Sequence, residues 1–530
     1  MYRITSISIA VIGIILWSSC KPEKPYDREQ MDALRSQAER LILTQSIMGY
    51  NNWVMGDPSN QDSLYKANAG LFTRENIALL QQAETAETSA VQKQRLWYFR
   101  RYLINEYIGK EIASLTDKIS NIEAAATVTV DGKPVAYRQV GVMIANEPDQ
   151  ARRAMLYQSL DGVLDSLILV QREVEAKNQS LAKELGFASY NVMAEELKQF
   201  SLTEFKVIAE RILAETEEQY TTLLREIVAS ELKVPLDRFY RYDTGMLFRS
   251  KRFDKYFPET SMMEVFKKTY KTLGIDVDTL KNLRIDAEKR ESKNPRAVCF
   301  SIVIPTDVRL SIKPIGGFDD YSALFHEVGH GMHYAHTAEH AFEFKYLGEY
   351  TVTETYAFLS EYILANQAWL RLNSTMPTPV LKDFLRMRAF ERLYMIRRYA
   401  AKFLYEWELH SGASDPAAIY AAMLSKATGS QEIPSDRKGY LTDLDALYYS
   451  ATYMRAWFLE AQFNAKLSKD YGVNWFENPQ AGKLLLGLWA KGDRINGEDL
   501  VRILGYESIS PDALIEQIKL MVVMSTKPTT

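Results

Sequence analysis

Apolar residues recur at three- and four-residue spacing through most of the chain, which predicts a largely helical protein. Met31, Leu34, Ala38, Leu41 and Ile42 keep that spacing near the start, as do Phe99, Leu103 and Tyr107 further on. Thr127–Tyr137 breaks it: TVTVDGKPVAY alternates around Asp131-Gly132 and predicts a β-hairpin. Helical spacing resumes near Asp149, and Gly186 is placed to end a helix. Ser201 with Glu204, and Ser261 with Glu264, have the spacing of capping boxes that open further helices. Ala297–Pro314 is the one strand-rich stretch, with strands expected over Val298–Ile304 and Val308–Ile312, just before Gly316-Gly317. Downstream, Leu381–Leu409 reads as a long helix and Ser435–Tyr440 as a polar loop. Leu444–Leu467 then reads as a mostly apolar helix with Tyr448, Tyr449 and Tyr453 near its start.

The 530 residues suffice for a large core in one big domain or two intimate ones. A net charge of −4 with both signs interspersed argues against a nucleic-acid binder. The aromatic and basic stretch Phe239–Phe257 reads instead as a partly buried segment whose Arg and Lys snorkel to solvent. Residues 1–20 have a basic start at Arg3 and an eleven-residue apolar stretch, Ile7–Trp17, too short to span a membrane and suited to a signal peptide. Ser18-Ser19-Cys20 resembles a bacterial lipobox, so Cys20 is the expected lipidation site and the expected location is the bacterial cell envelope, on its periplasmic or outer-membrane face. Trp17 stands where such boxes carry leucine. Cys299 is the other cysteine, so no intramolecular disulfide is expected once Cys20 is acylated. The expected organisation is a leader over 1–20, a short tether, a helical region over 21–285 and a catalytic region over 286–530.

Five of the six histidines lie between Tyr321 and His340, where His326, Glu327 and His330 form H-E-x-x-H. On a helix, residues four apart share a face, so both imidazoles can reach one metal ion. Glu327 is then placed to hold the attacking water, which is the layout of a zinc hydrolase. The flanking residues are apolar, and burying two imidazoles and a carboxylate among them requires a strong partner, which a metal supplies. A catalytic zinc needs a third protein ligand. His336 is one candidate, but no glycine breaks the helix at His333, and a continuing helix carries His336 about 120° round from His330. Glu354, 24 residues after His330, is favoured, on a following antiparallel helix that reaches back. Glu361, seven residues on, shares its face and can hydrogen-bond a ligand from behind. Tyr453 or Tyr449 can donate to the oxyanion of a tetrahedral intermediate, or can simply pack in the core. Gly316, Gly317 and His333 are candidates for contact with substrate, the glycines because substrate backbone can come close to them. The strand before them can receive an extended peptide along its edge.

LFHEVGHGMH is similar to the F-H-E-F-G-H-x-M-H motif of the thimet oligopeptidase/oligopeptidase F family of zinc peptidases, and the chain resembles angiotensin-converting enzyme more distantly. The likeness is best over 286–467, and LAKELGFASYN (Leu181–Asn191) is also similar to a segment of these enzymes. It implies one zinc per chain on His326, His330 and Glu354, with Glu327 as general base. Aligning YMRAWFLEAQFNAKL with the corresponding helix of angiotensin-converting enzyme implies Tyr453 as the oxyanion donor, with Tyr449 in reserve. The tyrosine loop departs from the family pattern: LTDLDALYYSATY has none of the glycines usual there. The implied fold is an elongated, mainly α body with a deep channel, a small β-sheet beside the zinc, and short peptides as substrates. Two further expectations share these residues, a dipeptidyl carboxypeptidase and a non-catalytic peptide-binding lipoprotein on a peptidase fold.

Overall fold

Apolar stripes at helical spacing fold as helices throughout the computed structural model, which describes residues 28–58 and 60–526. Cys20, the expected lipidation site, lies outside the described residues. Arg28–Met55 and Ala90–Ala125 are long helices, and the second buries Leu96, Phe99, Leu103 and Tyr107 on the face their spacing predicts. The hairpin forms from β1 (Thr127–Val130) and β2 (Lys133–Ala136) around Asp131 and Gly132, both at positive φ. Gly186 turns the chain at φ 91° after the helix Asp161–Glu184, where a left-handed residue frees the last carbonyls to be capped. Ser201 caps its helix through the Glu204 N–H, as its spacing predicts. Ser261 does not: that helix starts at Glu259 behind Pro258, whose fixed φ sets the start three residues early.

The strand-rich stretch forms β4 (Val298–Val303) and β5 (Asp307–Ser311), paired antiparallel, with β3 (Leu283–Asp286) parallel to β5 on its other side. The order β3-β5-β4 leaves β4 at an edge. Val308, Leu310 and Ile312 alternate inward and are buried. The sequence reading missed β3, because the alternation of Leu283–Asp286 lasts only four residues, too short to register.

Four helices build the site. The motif helix (Phe318–His336) lies on the sheet, the partner helix (Tyr350–Glu361) crosses it, and the spine helix (Thr378–His410) and the tyrosine helix (Tyr449–Tyr471) pack around them. Over the described residues the molecule is thus mainly helical with two small sheets. One apolar core runs from Met31 to Ile518 and crosses the 285/286 boundary without a break. The expected loop at 435–440 is a 3-10 turn, Pro434–Gly439. The tyrosine helix starts at Tyr449, not at Leu444, because Leu447 and Tyr448 take left-handed backbone conformations that end any preceding helix.

Candidate metal centre

The motif helix runs unbroken to His336, so His326 and His330 stack on one face with ring centroids 5.0 Å apart. Gly329 lies where the partner helix crosses. A Cβ there would fall 2.5 Å from the Ala357 Cα and 2.6 Å from the Tyr356 carbonyl oxygen, so only glycine allows so close a crossing. His326 faces Glu361 and His330 faces Thr353, which makes the two helices antiparallel. Glu354 is thereby carried to both histidines. One nitrogen from each imidazole and one Glu354 oxygen gather within 4.8 Å of one another, the only such donor cluster among the described residues.

Each histidine is oriented from behind. His326 Nδ1 lies 2.9 Å from Glu361 Oε2, and the Ser322 hydroxyl donates to the other oxygen of that carboxylate. A carboxylate only accepts, so the proton is on Nδ1 and the Nε2 lone pair points away from Glu361. His330 Nδ1 meets the Thr353 hydroxyl at 2.8 Å, and that hydroxyl donates onward to Tyr334. His330 Nε2 is freed in the same way. Both Nε2 atoms face Glu354 Oε2, at 3.5 and 3.8 Å. That oxygen is buried without a hydrogen-bond partner, while the Tyr449 hydroxyl donates to Oε1 at 2.8 Å.

Two imidazole lone pairs and an orphaned carboxylate oxygen form a donor set that fits zinc. The electrostatics agree with this. Burial pulls the His326 pKa down, but Glu354 and Glu361 outweigh it and push it up to about 10. Burial favours a neutral Glu354, yet His326, His330 and Tyr449 hold it below the usual carboxylate range. Burial pulls the His330 pKa down instead, so positive charge is favoured at His326, beside the two carboxylates.

Glu327 projects beside them into a cavity of about 460 Å³, lined also by His326, Phe358, Arg388 and Tyr453. The backbone N–H of Cys299, on edge strand β4, donates to Glu327 Oε2 at 2.7 Å and fixes the carboxylate. Beyond Thr353 and Tyr334 a second cavity of about 300 Å³ opens, reaching Ser301 on the same strand. Tyr453 lies between Tyr399 and Phe358, with its ring stacked on the former and edge-on to the latter. Tyr449 is tied to Glu354, so the two tyrosines stand in different places.

Two expectations need correction, at His333 and at the Gly316-Gly317 pair. His333 does not reach the cavity: it is 1% exposed, set against Tyr334 and Tyr356, and burial pulls its pKa down to about 3. Gly316 and Gly317 serve the entry to the motif helix and lie outside the cavity lining. Their φ values are 93° and 105°, and a Cβ on Gly317 would fall 2.7 Å from the Asp254 carboxylate. Asp320 accepts the N–H of both Ile315 and Gly316 at 2.6 Å, so Gly316 has no N–H to offer a substrate. His336 turns away, its Nδ1 on the Met332 carbonyl and its ring on Trp489. Thr353, Ser322 and the Cys299 N–H were not anticipated. Ser322, four residues before His326 and on its face, carried a readable signal, whereas the other two depend on packing alone. No family model matches the chain, and no curated protein matches it.

Proposed function

We propose that this chain is a zinc-dependent peptidase that hydrolyses short peptides, with one zinc on His326, His330 and Glu354. The observation that carries the reading is the convergence of three oriented donors beside Glu327, at the wall of a cavity and next to an edge strand. When bound, the zinc supplies Lewis acidity to water and to the scissile carbonyl. Glu327 takes the proton of the attacking water on its carboxylate and returns it to the leaving amine nitrogen. The Tyr453 hydroxyl, in the cavity wall, donates to the carbonyl oxygen as negative charge grows there. Tyr449 holds Glu354 through Oε1 and keeps Oε2 turned to the histidines. Glu361 and Thr353 hold the rings in the tautomer that offers Nε2.

An extended peptide along the outer edge of β4 would pass Glu327 and run between the two cavities. The channel of the peptidases this chain resembles, which admits short peptides and excludes folded proteins, belongs to the same proposal. So does a lipid on Cys20 that holds the protein at the bacterial cell envelope; no described helix is long and apolar enough to cross a membrane.

The test uses protein lacking residues 1–20 and an internally quenched peptide blocked at both ends. One zinc per chain with chelator-sensitive cleavage is expected. Glu327→Gln keeps the zinc and loses about 10²–10⁴ in turnover, as removal of a general base does. Near-normal turnover in that variant would remove Glu327 from its role, and a chain that neither binds zinc nor cleaves would overturn the peptidase reading.

A further inference from the structure

Leu447 and Tyr448 stand at φ 49° and 55°, two consecutive left-handed residues of which neither is glycine. In that region the Cβ crowds the following carbonyl, and such conformations persist only where their surroundings over-determine them. Here the surroundings are buried and polar. Glu406, on the spine helix and fully buried, accepts the Asp445 N–H at 3.1 Å on one side of the turn and the Ser450 hydroxyl on the other. The Leu447 N–H donates to the Tyr190 hydroxyl at 2.8 Å, and the Tyr448 hydroxyl donates to Asn191 at 2.7 Å. Lys402 pairs with Asp445 at 2.8 Å. The turn delivers the chain to Tyr449, the residue on Glu354, and one helical turn later to Tyr453 in the cavity wall.

We infer that Glu406 is a positioning residue: it holds this left-handed turn closed, and so sets Tyr449 against the metal-binding carboxylate and Tyr453 in the cleft. Its two oxygens straddle the two strained residues, one contact before them and one after. Without either contact, Leu447 and Tyr448 would relax towards ordinary backbone conformations and the start of the tyrosine helix would shift. A loop with glycine at these positions would need no such clamp, because glycine adopts left-handed φ without strain. The kinetic part of the inference rests on the peptidase reading; the effect on metal affinity rests on the zinc site of that reading, the turn and the Tyr449–Glu354 contact.

The test compares Glu406→Ala, Glu406→Gln and the double variant Glu406→Ala/Leu447→Gly with wild type. Apo protein is titrated with zinc, and kcat and KM are measured on the quenched peptide. Glu406→Ala should weaken zinc binding about tenfold, in the range seen when a group behind a ligand is lost, and should lower kcat more than it raises KM. Glutamine can accept the Asp445 N–H and donate to the Ser450 oxygen, so Glu406→Gln should restore both quantities to within about twofold. Leu447→Gly should rescue the alanine variant by removing strain that the carboxylate no longer opposes. An alanine variant with wild-type zinc affinity and kcat overturns the inference, as does one that the glycine fails to rescue. If Glu406→Ala does not fold, Ser450→Ala severs one contact alone and should show the same changes in smaller measure; its equality with wild type counts against the clamp. If wild type binds zinc but cleaves nothing, the zinc titrations decide the inference while the peptidase reading falls.

Discussion

His326 and His330 each commit one ring nitrogen to a protein partner, Glu361 for the first and Thr353 for the second, and that commitment fixes which nitrogen is left for a metal. The two tyrosines divide in a similar way. Tyr449 gives its hydroxyl to Glu354, whereas Tyr453 takes its place in the cavity wall through ring contacts. Substituting phenylalanine should therefore separate them. Tyr453→Phe should lower kcat by about 10²–10³ with zinc affinity intact, as loss of an oxyanion donor does. Tyr449→Phe should loosen zinc first, because Glu354 then loses the hydrogen bond that holds it. Zinc titration beside steady-state kinetics checks both, and matching profiles for the two variants would dissolve the distinction. At this scale the sequence was readable where spacing alone sets geometry, as for His326, Glu327 and His330. It was misleading at His333, which looked like a residue of the site and is a core imidazole. The turn of the helix that buries it depends on what packs there, and no periodicity shows that.

The crossing of the motif and partner helices is the element on which the donor set depends. Gly329 permits it, and the nearest backbone atoms leave no room for a methyl group. Gly329→Ala should push the helices apart, destabilise the protein by about 1–3 kcal/mol, and separate Glu354 from the histidines. Urea unfolding and zinc titration on the same variant check this; unchanged zinc affinity would show that the close approach is not what gathers the ligands. The sequence located the hairpin, β4, β5 and the long helices because each has a clear period. It placed the start of the tyrosine helix too early, since an apolar run from Leu444 hides the left-handed turn at Leu447 and Tyr448. Nothing in the residue types of that turn signals it, and the contacts that hold it come from Glu406, Tyr190 and Asn191, far away in the chain.

Across the whole molecule the N-terminal helices brace the segment that leads into the partner helix. Arg35 and Arg95 both donate to the buried Glu343, at 2.6 and 2.8 Å, and Arg101 donates to the carbonyls of Leu347 and Gly348. The Gly348 N–H donates to Asp493 at 3.0 Å, and the Tyr98 hydroxyl donates to the Asp493 carbonyl. Glu354 thus stands on an element held from both ends of the chain. A metal that binds only the folded arrangement must stabilise it, by about 2.7 kcal/mol at a hundred times Kd. Calorimetry should show Tm rising on addition of zinc and falling on chelation, with no shift in His330→Ala. An equal shift in that variant would place the ion elsewhere.

Sequence by itself determined what depends on near neighbours: helix and strand periods, the hairpin turn, and two histidines with a glutamate on one helical face. It also favoured Glu354 over His336, because an unbroken helix must carry His336 away. Tertiary structure alone decided the rest. Gly329 brings two helices close enough to gather the three donors, a strand edge fixes Glu327, and a buried carboxylate on a third helix contacts both sides of the turn before Tyr449. The physical reason is range. A period repeats within a few residues and is written in them, whereas a helix crossing or a clamp depends on atoms tens of positions apart that become neighbours only in the packed core.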